Sequence, residues 1–421
     1  MEKITLPNGL RILLKERREA RTACFGIWAG SGSAYETREN NGISHLIEHM
    51  VFKGTKRRSA LQLAEEMDSI GGHLNAYTAR DYTCFYARTL SEHVRTGFDI
   101  LADMLLHPKY DPRDLSTEKG VVAEEIGMCF DAPEDRVGEN LYSTVWKASP
   151  MGMPILGTTD TLAAMTPERL RAYQQEHYTP QRTVIAICGR FDREAFVRRA
   201  AETFGAAVPG APMPKNVRIP YTPSLVLEER DLEQIHLCFA LPGLDFFDDR
   251  RFALSMLVGI AGGSSSSRLF QRIREELGLA YSVYAASVSY GGGGLLEVQA
   301  AVGPEAAERA CEEILKVLST LREGITEREF TRAREQLKSE LVMGMESSSA
   351  QAGNMGRGEL MKNRVDSEDE LLHKVERVTI DDVNALAEEL FDKRALSLSA
   401  VGPVSSRGFY ANLVDLKPTV L

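Results

Sequence analysis

The chain repeats itself. The segment MTPERLRAYQQEHYTPQRTVIAICG, which ends at Gly189, lines up with VTIDDVNALAEELFDKRALSLSAVG, which ends at Gly402, 213 residues later. LSTEKGVVAEEI and FTRAREQLKSEL align at a separation of 215 residues. Self-similarity on this scale indicates two copies of one structural unit. We expect two tandem domains, residues 1–212 and 213–421, joined near the linker GAAVPGAPMPKN.

Each copy mixes strand-type and helix-type patterns. The runs Ile4–Leu6 and Leu10–Leu14 flank an Asn-Gly turn, and HLNAYTARDYTCFYARTL alternates as two antiparallel strands. A helix is predicted from Asp111, followed by a polar stretch near residues 130–140. The predicted fold class is α+β: two homologous α/β units, each a largely antiparallel sheet backed by helices.

Composition excludes several classes of partner. The 421 residues carry a net charge of −10 and no basic run, which argues against nucleic acid and anionic membrane surfaces. No apolar run reaches the roughly 18 residues of a membrane helix, and the first residues lack the apolar core of a signal peptide. The six cysteines are scattered without a CxxC pair, as is typical of a reducing compartment. We expect a cytoplasmic protein.

The motif HLIEH carries the strongest chemical signal. On an α-helix, His45 and His49 lie one turn apart with Glu48 beside them. Two neutral imidazoles can bind zinc and leave positions for a carboxylate and a water, from which Glu48 can take a proton. Histidines packed in a core are the alternative. The motif favours a hydrolytic metal site, which the second copy lacks because it has LVGIAGG there.

Two carboxylates share a face of the helix predicted from Asp111. Glu118 and Glu125 are seven residues apart, which is two helical turns. A solvated helix face is the alternative interpretation of these residues.

Several segments together resemble the pitrilysin family of zinc proteases, which includes the insulin-degrading enzyme and the mitochondrial processing peptidase. HxxEH is the inverzincin signature. The resemblance runs essentially end to end and is greatest to the short bacterial members similar to the processing peptidase. The segments that carry it are HLIEHMVFKGT, GGHLNAYTARDYT, EKGVVAEEI, HYTPQRTVIAICG and SSRLFQRIREELGLAYSV.

The resemblance implies which metal the site binds and which residues bind it. The family's third zinc ligand matches Glu125, 76 residues after His49, with Glu124 as the nearest competitor. Helical phase with Glu118 favours Glu125, and Glu118 would orient a ligand histidine. One zinc ion per chain would be bound by His45, His49 and Glu125, although cobalt or manganese could take the same ligands. Glu48 would be the general base.

The resemblance also implies two pairs of residues that meet the substrate. Arg274 and Tyr281, seven residues apart, match the family's donors to the carbonyl oxygen that becomes negative during hydrolysis. Asn75 and Ala76 match the strand to which substrate backbone adds. The alternative for Arg274 is a surface charge on a helix, and for Tyr281 it is ordinary packing in a strand. Asn75 and Ala76 could be strand residues without a role in binding.

These residues predict a zinc metalloendopeptidase that cleaves peptides or unfolded polypeptide segments. Short members of the family resemble half of a clam-shell chamber and pair as dimers. We therefore expect a homodimer in which Arg274 and Tyr281 of one subunit complete the zinc site of the other. A non-catalytic scaffold subunit of the same family and a zinc hydrolase acting on other substrates are the alternatives.

Overall fold

The computed structural model describes residues 1–214 and 217–421, and strands in this part of the chain form two sheets of six. The strands of the first sheet are β1 (Glu2–Thr5), β2 (Arg11–Glu16), β3 (Thr22–Ala29), β4 (His73–Thr78), β5 (Thr83–Leu90) and β6 (Thr183–Gly189). Those of the second sheet are β7 (Leu225–Glu229), β8 (Ile235–Gly243), β9 (Ala280–Tyr290), β10 (Gly293–Val302), β11 (Ser397–Gly402) and β12 (Pro418–Val420).

Helices occupy most of the connections between strands. In chain order they are α1 (Ile43–Val51), α2 (Ala60–Ser69), α3 (Val94–Leu106), α4 (Pro112–Asp131), α5 (Pro133–Val145), α6 (Thr159–Ala163), α7 (Pro167–His177), α8 (Arg193–Phe204), α9 (Arg251–Gly262), α10 (Ala307–Glu323), α11 (Glu327–Met345), α12 (Ser348–Lys362), α13 (Glu368–Glu376), α14 (Ile380–Leu390) and α15 (Arg407–Val414). A π-helical segment, Phe270–Glu276, precedes β9. No helix in the described residues has the length and apolar character needed to cross a bilayer.

The two sheets share one strand order, which is the structural form of the sequence repeat. They run β1-β2-β6-β3-β5-β4 and β12-β7-β11-β8-β10-β9. Most neighbouring strands are antiparallel, whereas β2 pairs with β6 and β7 pairs with β11 and β12 in parallel. The predicted fold class, two tandem α/β units with largely antiparallel sheets backed by helices, is confirmed. β4 and β9 each lie at an edge.

The chain forms two compact units, and each unit contains one helical segment from the other half of the sequence. The first unit comprises Met1–Ile126, Met153–Lys215 and Met343–Asp366, and the second comprises Gly127–Gly152, Asn216–Val342 and Ser367–Leu421. In the first unit α12 packs on β3 and β6, and in the second α5 packs on β7, β8 and β11. The predicted ranges, residues 1–212 and 213–421, follow the sequence repeat, so they place α5 in the first range and α12 in the second.

The first sheet is covered on both faces. One face packs against a large core that includes α1 and α3. On the other face, Cys24, Trp28 and Cys188 pack against Ala352 and Met355 of α12. Both faces of β6 are therefore buried, which explains its continuous apolar sequence TVIAICG.

The stretch near residues 130–140 differs from the prediction. The polar run expected there is the start of α5, which begins at Pro133. Val137, Leu141 and Val145 form a buried stripe between charged residues, and this stripe faces the second sheet. The helical period there is carried by few apolar residues, so the sequence pattern indicates only a polar stretch.

Candidate metal centre

The motif HLIEH lies on α1, whose other face is in the core of the first unit. Leu46 and Ile47 are fully buried. His45, Glu48 and His49 are only partly buried. Core packing therefore fixes the rotation of the helix and presents these three side chains together.

α1 starts at a buried carboxylate that sequence reasoning missed. Glu36 accepts hydrogen bonds from the backbone N–H of Gly42 at 2.7 Å and of Ser44 at 2.9 Å, and from the Asn41 amide at 2.9 Å. These bonds satisfy N–H groups that a helix start leaves unpaired. Burial raises the pKa of Glu36, although the hydrogen bonds act in the opposite direction. Gly42 has a φ of 89°, and a Cβ there would lie 2.6 Å from the Leu156 carbonyl oxygen.

Glu125 of α4 reaches both histidines. Its Oε2 lies 3.7 Å from His45 Nε2 and 3.5 Å from His49 Nε2. Within residues 1–214 and 217–421, this is the only group of three candidate ligands whose donor atoms lie within 4.8 Å of one another. Donor atoms around tetrahedral zinc are about 3.3–3.6 Å apart, given bonds of about 2.0–2.2 Å. The three side chains fit a zinc ion with one position open, and the exposed Glu124 lies outside the group.

The ring of His45 is suited to bind metal in its neutral form. Burial, and then the charge of His49, lower the pKa of His45 to about 4. Its Nδ1 is buried and has no hydrogen-bond partner in the described part of the chain. The ring therefore stays uncharged at neutral pH, as a metal ligand must.

Glu118 is hydrogen-bonded to the Nδ1 side of the His49 ring. Its Oε2 lies 3.1 Å from His49 Nδ1, and its Oε1 lies 2.6 Å from Lys53 Nζ. Glu118 is buried, with 3% of its surface exposed. A hydrogen bond at Nδ1 fixes the tautomer whose Nε2 lone pair faces Glu125 and the candidate metal position. Lys53, which sequence reasoning missed, balances the buried charge of Glu118.

Glu48 is held by the end of β4. Thr78 Oγ1 donates a hydrogen bond of 2.5 Å to Glu48 Oε2. Burial raises the pKa of the Glu48 carboxyl, against the effects of Thr78 and His49. The result is a fixed carboxylate whose affinity for a proton is above the ordinary value. Thr78 was not predicted, but alternation along HLNAYT puts it on the same strand face as Ala76.

Asn75 and Ala76 lie on the edge strand β4, as the predicted role requires. At the turn after β4, the Ala79 N–H donates to the Tyr82 carbonyl oxygen. Hydrogen-bonded and non-hydrogen-bonded pairs alternate along antiparallel strands, so the backbone groups of Leu74, Ala76 and Thr78 face the open edge. Asn75 Oδ1 accepts from the Ala76 N–H at 2.8 Å. A cleft of about 710 Å³ runs along this edge, between β4 and α2.

Arg274 and Tyr281 lie together in the second unit. The Arg274 guanidinium carbon is 4.6 Å from the centroid of the Tyr281 ring, a distance typical of a cation–π contact. Tyr281 is 79% exposed. The sequence spacing of seven therefore brings these two side chains into contact.

Comparisons with known proteins show which family this chain is similar to. The family model for insulinase, peptidase family M16, matches residues 11–159, and the model for the peptidase M16 inactive domain matches residues 164–337. The uncharacterized zinc protease YmxG of Bacillus subtilis is 38% identical over 392 residues, covering 93% of this chain and 96% of YmxG. An uncharacterized zinc protease of Streptomyces coelicolor is 37% identical over 416 residues, covering 97% of this chain and 90% of that protein.

A solved structure extends the comparison to the fold. The peptidase M16 inactive domain from Pseudomonas fluorescens is similar with a TM-score of 0.89 at 20% identity. The likeness covers 96% of this chain and 98% of that one. At this identity it supports the fold alone.

Proposed function

The chain belongs to the insulinase family of peptidases, family M16, and on that basis we propose that it is a zinc-dependent endopeptidase. The observation that carries the proposal is the convergence of His45, His49 and Glu125, with Glu48 on the same helix. Zinc bound there would act as a Lewis acid and lower the pKa of a bound water.

Glu48 is the general base in this proposal. It removes a proton from the attacking water and later gives that proton to the leaving amine. The hydrogen bond from Thr78 supports this role because it limits the rotation of the carboxylate. Burial raises the pKa of Glu48, which strengthens it as a proton acceptor.

The proposed substrate is an extended peptide or an unfolded segment of a polypeptide. Its backbone would add to β4, whose groups at Leu74, Ala76 and Thr78 face the open edge. Pairing of this kind recognises the main chain more than the side chains, so a broad range of sequences can bind.

The second unit would supply Arg274 and Tyr281 as donors to the substrate carbonyl. We propose that they act on the zinc site of a partner subunit in a homodimer that encloses the substrate. The presence of both motifs in one chain supports this arrangement. We also propose a cytoplasmic location, which is supported by five buried cysteines with free thiols, Cys24, Cys84, Cys188, Cys238 and Cys311.

The test combines metal analysis with cleavage of an unstructured peptide library by the full chain. We expect one zinc per chain, loss of cleavage with a chelator and recovery with added zinc. Glu48→Gln should keep its zinc and lose cleavage. Zinc bound without any cleavage would favour the scaffold alternative instead.

A further inference from the structure

Two neighbouring arginines of the π-helical segment are held in different ways. Arg272 is bound by two carboxylates, with Glu276 at 2.9 Å and Glu313 at 2.8 Å. In the described part of the chain, the only carboxylate within 4 Å of the Arg274 guanidinium belongs to Glu275, at 3.8 Å. That separation is too long for a hydrogen bond. The N–H groups of Arg274 are therefore not committed to a carboxylate.

Two aromatic rings hold Arg274 instead. Its guanidinium carbon lies 4.8 Å from the centroid of the Phe270 ring and 4.6 Å from that of Tyr281. A guanidinium that stacks on a ring does so through its planar faces. The N–H groups point outward in the plane, so stacking leaves them available to an acceptor.

The backbone explains why both rings meet the same arginine. A π-helical turn contains more residues than an α-helical turn, so the side chains of Phe270 and Arg274, four residues apart, lie more nearly in line. The chain then turns at Gly278, which has a φ of 61°, and β9 begins at Ala280. This turn brings Tyr281 back beside Arg274.

We propose that Phe270 is a positioning residue that, with Tyr281, holds the guanidinium of Arg274 so that its N–H groups can bind a backbone carbonyl oxygen of a peptide. The inference rests on the proposed peptidase function, and it adds a residue to which no role has been given. Phe270 acts only through Arg274 and need not touch the peptide.

The test compares variants of Phe270 in the full chain. Phe270→Leu removes the ring face and keeps an apolar side chain, whereas Phe270→Tyr keeps the ring. In the Glu48→Gln background, which cannot turn over substrate, Phe270→Leu should weaken binding of an unstructured peptide roughly two- to thirty-fold. With Glu48 present, kcat/KM should fall by a similar factor. Phe270→Tyr should keep both the peptide affinity and kcat/KM near the wild-type values.

A matched control separates positioning from loss of packing. Phe330 of α11 also lies under an arginine, 5.2 Å from Arg334, and is a buried core residue of the same unit. Phe330→Leu should lower the melting temperature and leave peptide affinity unchanged. If Phe270→Leu lowers the melting temperature as well, peptide affinity is measured again with Phe270→Met, a second apolar variant.

A spectroscopic measurement tests the stacking without any enzyme activity. The Nε–H signal of Arg274, assigned in ¹⁵N spectra by its loss in Arg274→Lys, should show a ring-current shift that Phe270→Leu reduces and Phe270→Tyr retains. An unchanged signal or an unchanged peptide affinity in Phe270→Leu would overturn the proposal. A zinc-loaded chain that cleaves no peptide, yet loses affinity in Phe270→Leu, would count against the peptidase function alone.

Discussion

Thr78 Oγ1 lies 2.5 Å from Glu48 Oε2, so the last residue of β4 is hydrogen-bonded to the carboxylate beside the two histidines. The same residue has backbone groups on the open edge of the sheet. The strand proposed to pair with a peptide is thus also the strand that fixes the proposed base. Binding of substrate and orientation of Glu48 depend on one element.

Replacement of Thr78 by valine should therefore reduce the rate of cleavage. Valine keeps the shape of the side chain and removes the hydroxyl, so Glu48 loses its donor. A hydrogen bond to a charged group contributes about 1.5–3 kcal/mol, which corresponds to a fall in kcat of roughly 10- to 150-fold. Zinc content should not change, and both quantities can be measured on the same preparation.

Thr89 of β5 provides the control for this substitution. Its buried hydroxyl has no hydrogen-bond partner within residues 1–214 and 217–421. Thr89→Val should leave kcat at the wild-type value. Equal losses in the two variants would mean that the hydrogen bond from Thr78 has no role in cleavage.

Glu118→Gln should weaken metal binding. Its carboxylate fixes the tautomer of His49, and loss of such outer partners typically lowers metal affinity about 10- to 100-fold. Competition with a chromophoric chelator measures the change. Glu124→Gln, on an exposed position of the same helix, should bind zinc as the wild type does. Similar zinc affinity in the two variants would show that Glu118 does not support metal binding.

Local patterns were sufficient to predict much of this molecule. The Asn-Gly turn, the alternation before Asp81 and the helical spacing of HLIEH each depend on residues close together in sequence, and the structure has the corresponding hairpins and helix. The repeat predicted two units, and the shared strand order agrees with it.

Features that depend on distant residues were not predictable in the same way. Amphipathic spacing shows that α5 and α12 must bury one face, but it does not say which sheet each helix covers. Glu36 was missed because two of its hydrogen-bond partners are backbone N–H groups, which leave no trace in the sequence. Thr78 was missed although strand alternation from Ala76 would have identified it.

The exchanged helix α12 leads to a prediction about stability. A Cβ at Gly356 would lie 2.2–2.5 Å from ring atoms of Trp28, which is itself buried. Gly356→Ala should therefore lower the free energy of unfolding by about 1–3 kcal/mol. At Gly353, on the same helix, a Cβ meets nothing within 4 Å, so Gly353→Ala should add up to about 1 kcal/mol. Urea denaturation followed by tryptophan fluorescence distinguishes these opposite signs.

An ion pair in the second unit predicts a dependence on pH. Arg268 donates to both carboxylate oxygens of Glu329 and lowers the pKa of Glu329 to about 2. Because the folded pKa lies below the unfolded value near 4.5, this contribution is present above pH 4.5 and is lost as the pH falls toward 2. Glu329→Gln should cost about 1–2 kcal/mol at pH 7 and much less near pH 2. Glu335→Gln, exposed on the same helix, should have no such profile.

Subunit mixing tests whether a partner completes the zinc site. Glu48→Gln lacks the base, and Tyr281→Phe lacks the hydroxyl donor, so each homodimer should be nearly inactive. In a mixed dimer, one site combines Glu48 of one subunit with Tyr281 of the other. Random exchange makes about half of the dimers mixed, each with one complete site, so activity should recover to about a quarter of the wild-type value. If each site is built within one chain, no mixed dimer contains a complete site, and mixing after verified exchange gives no increase.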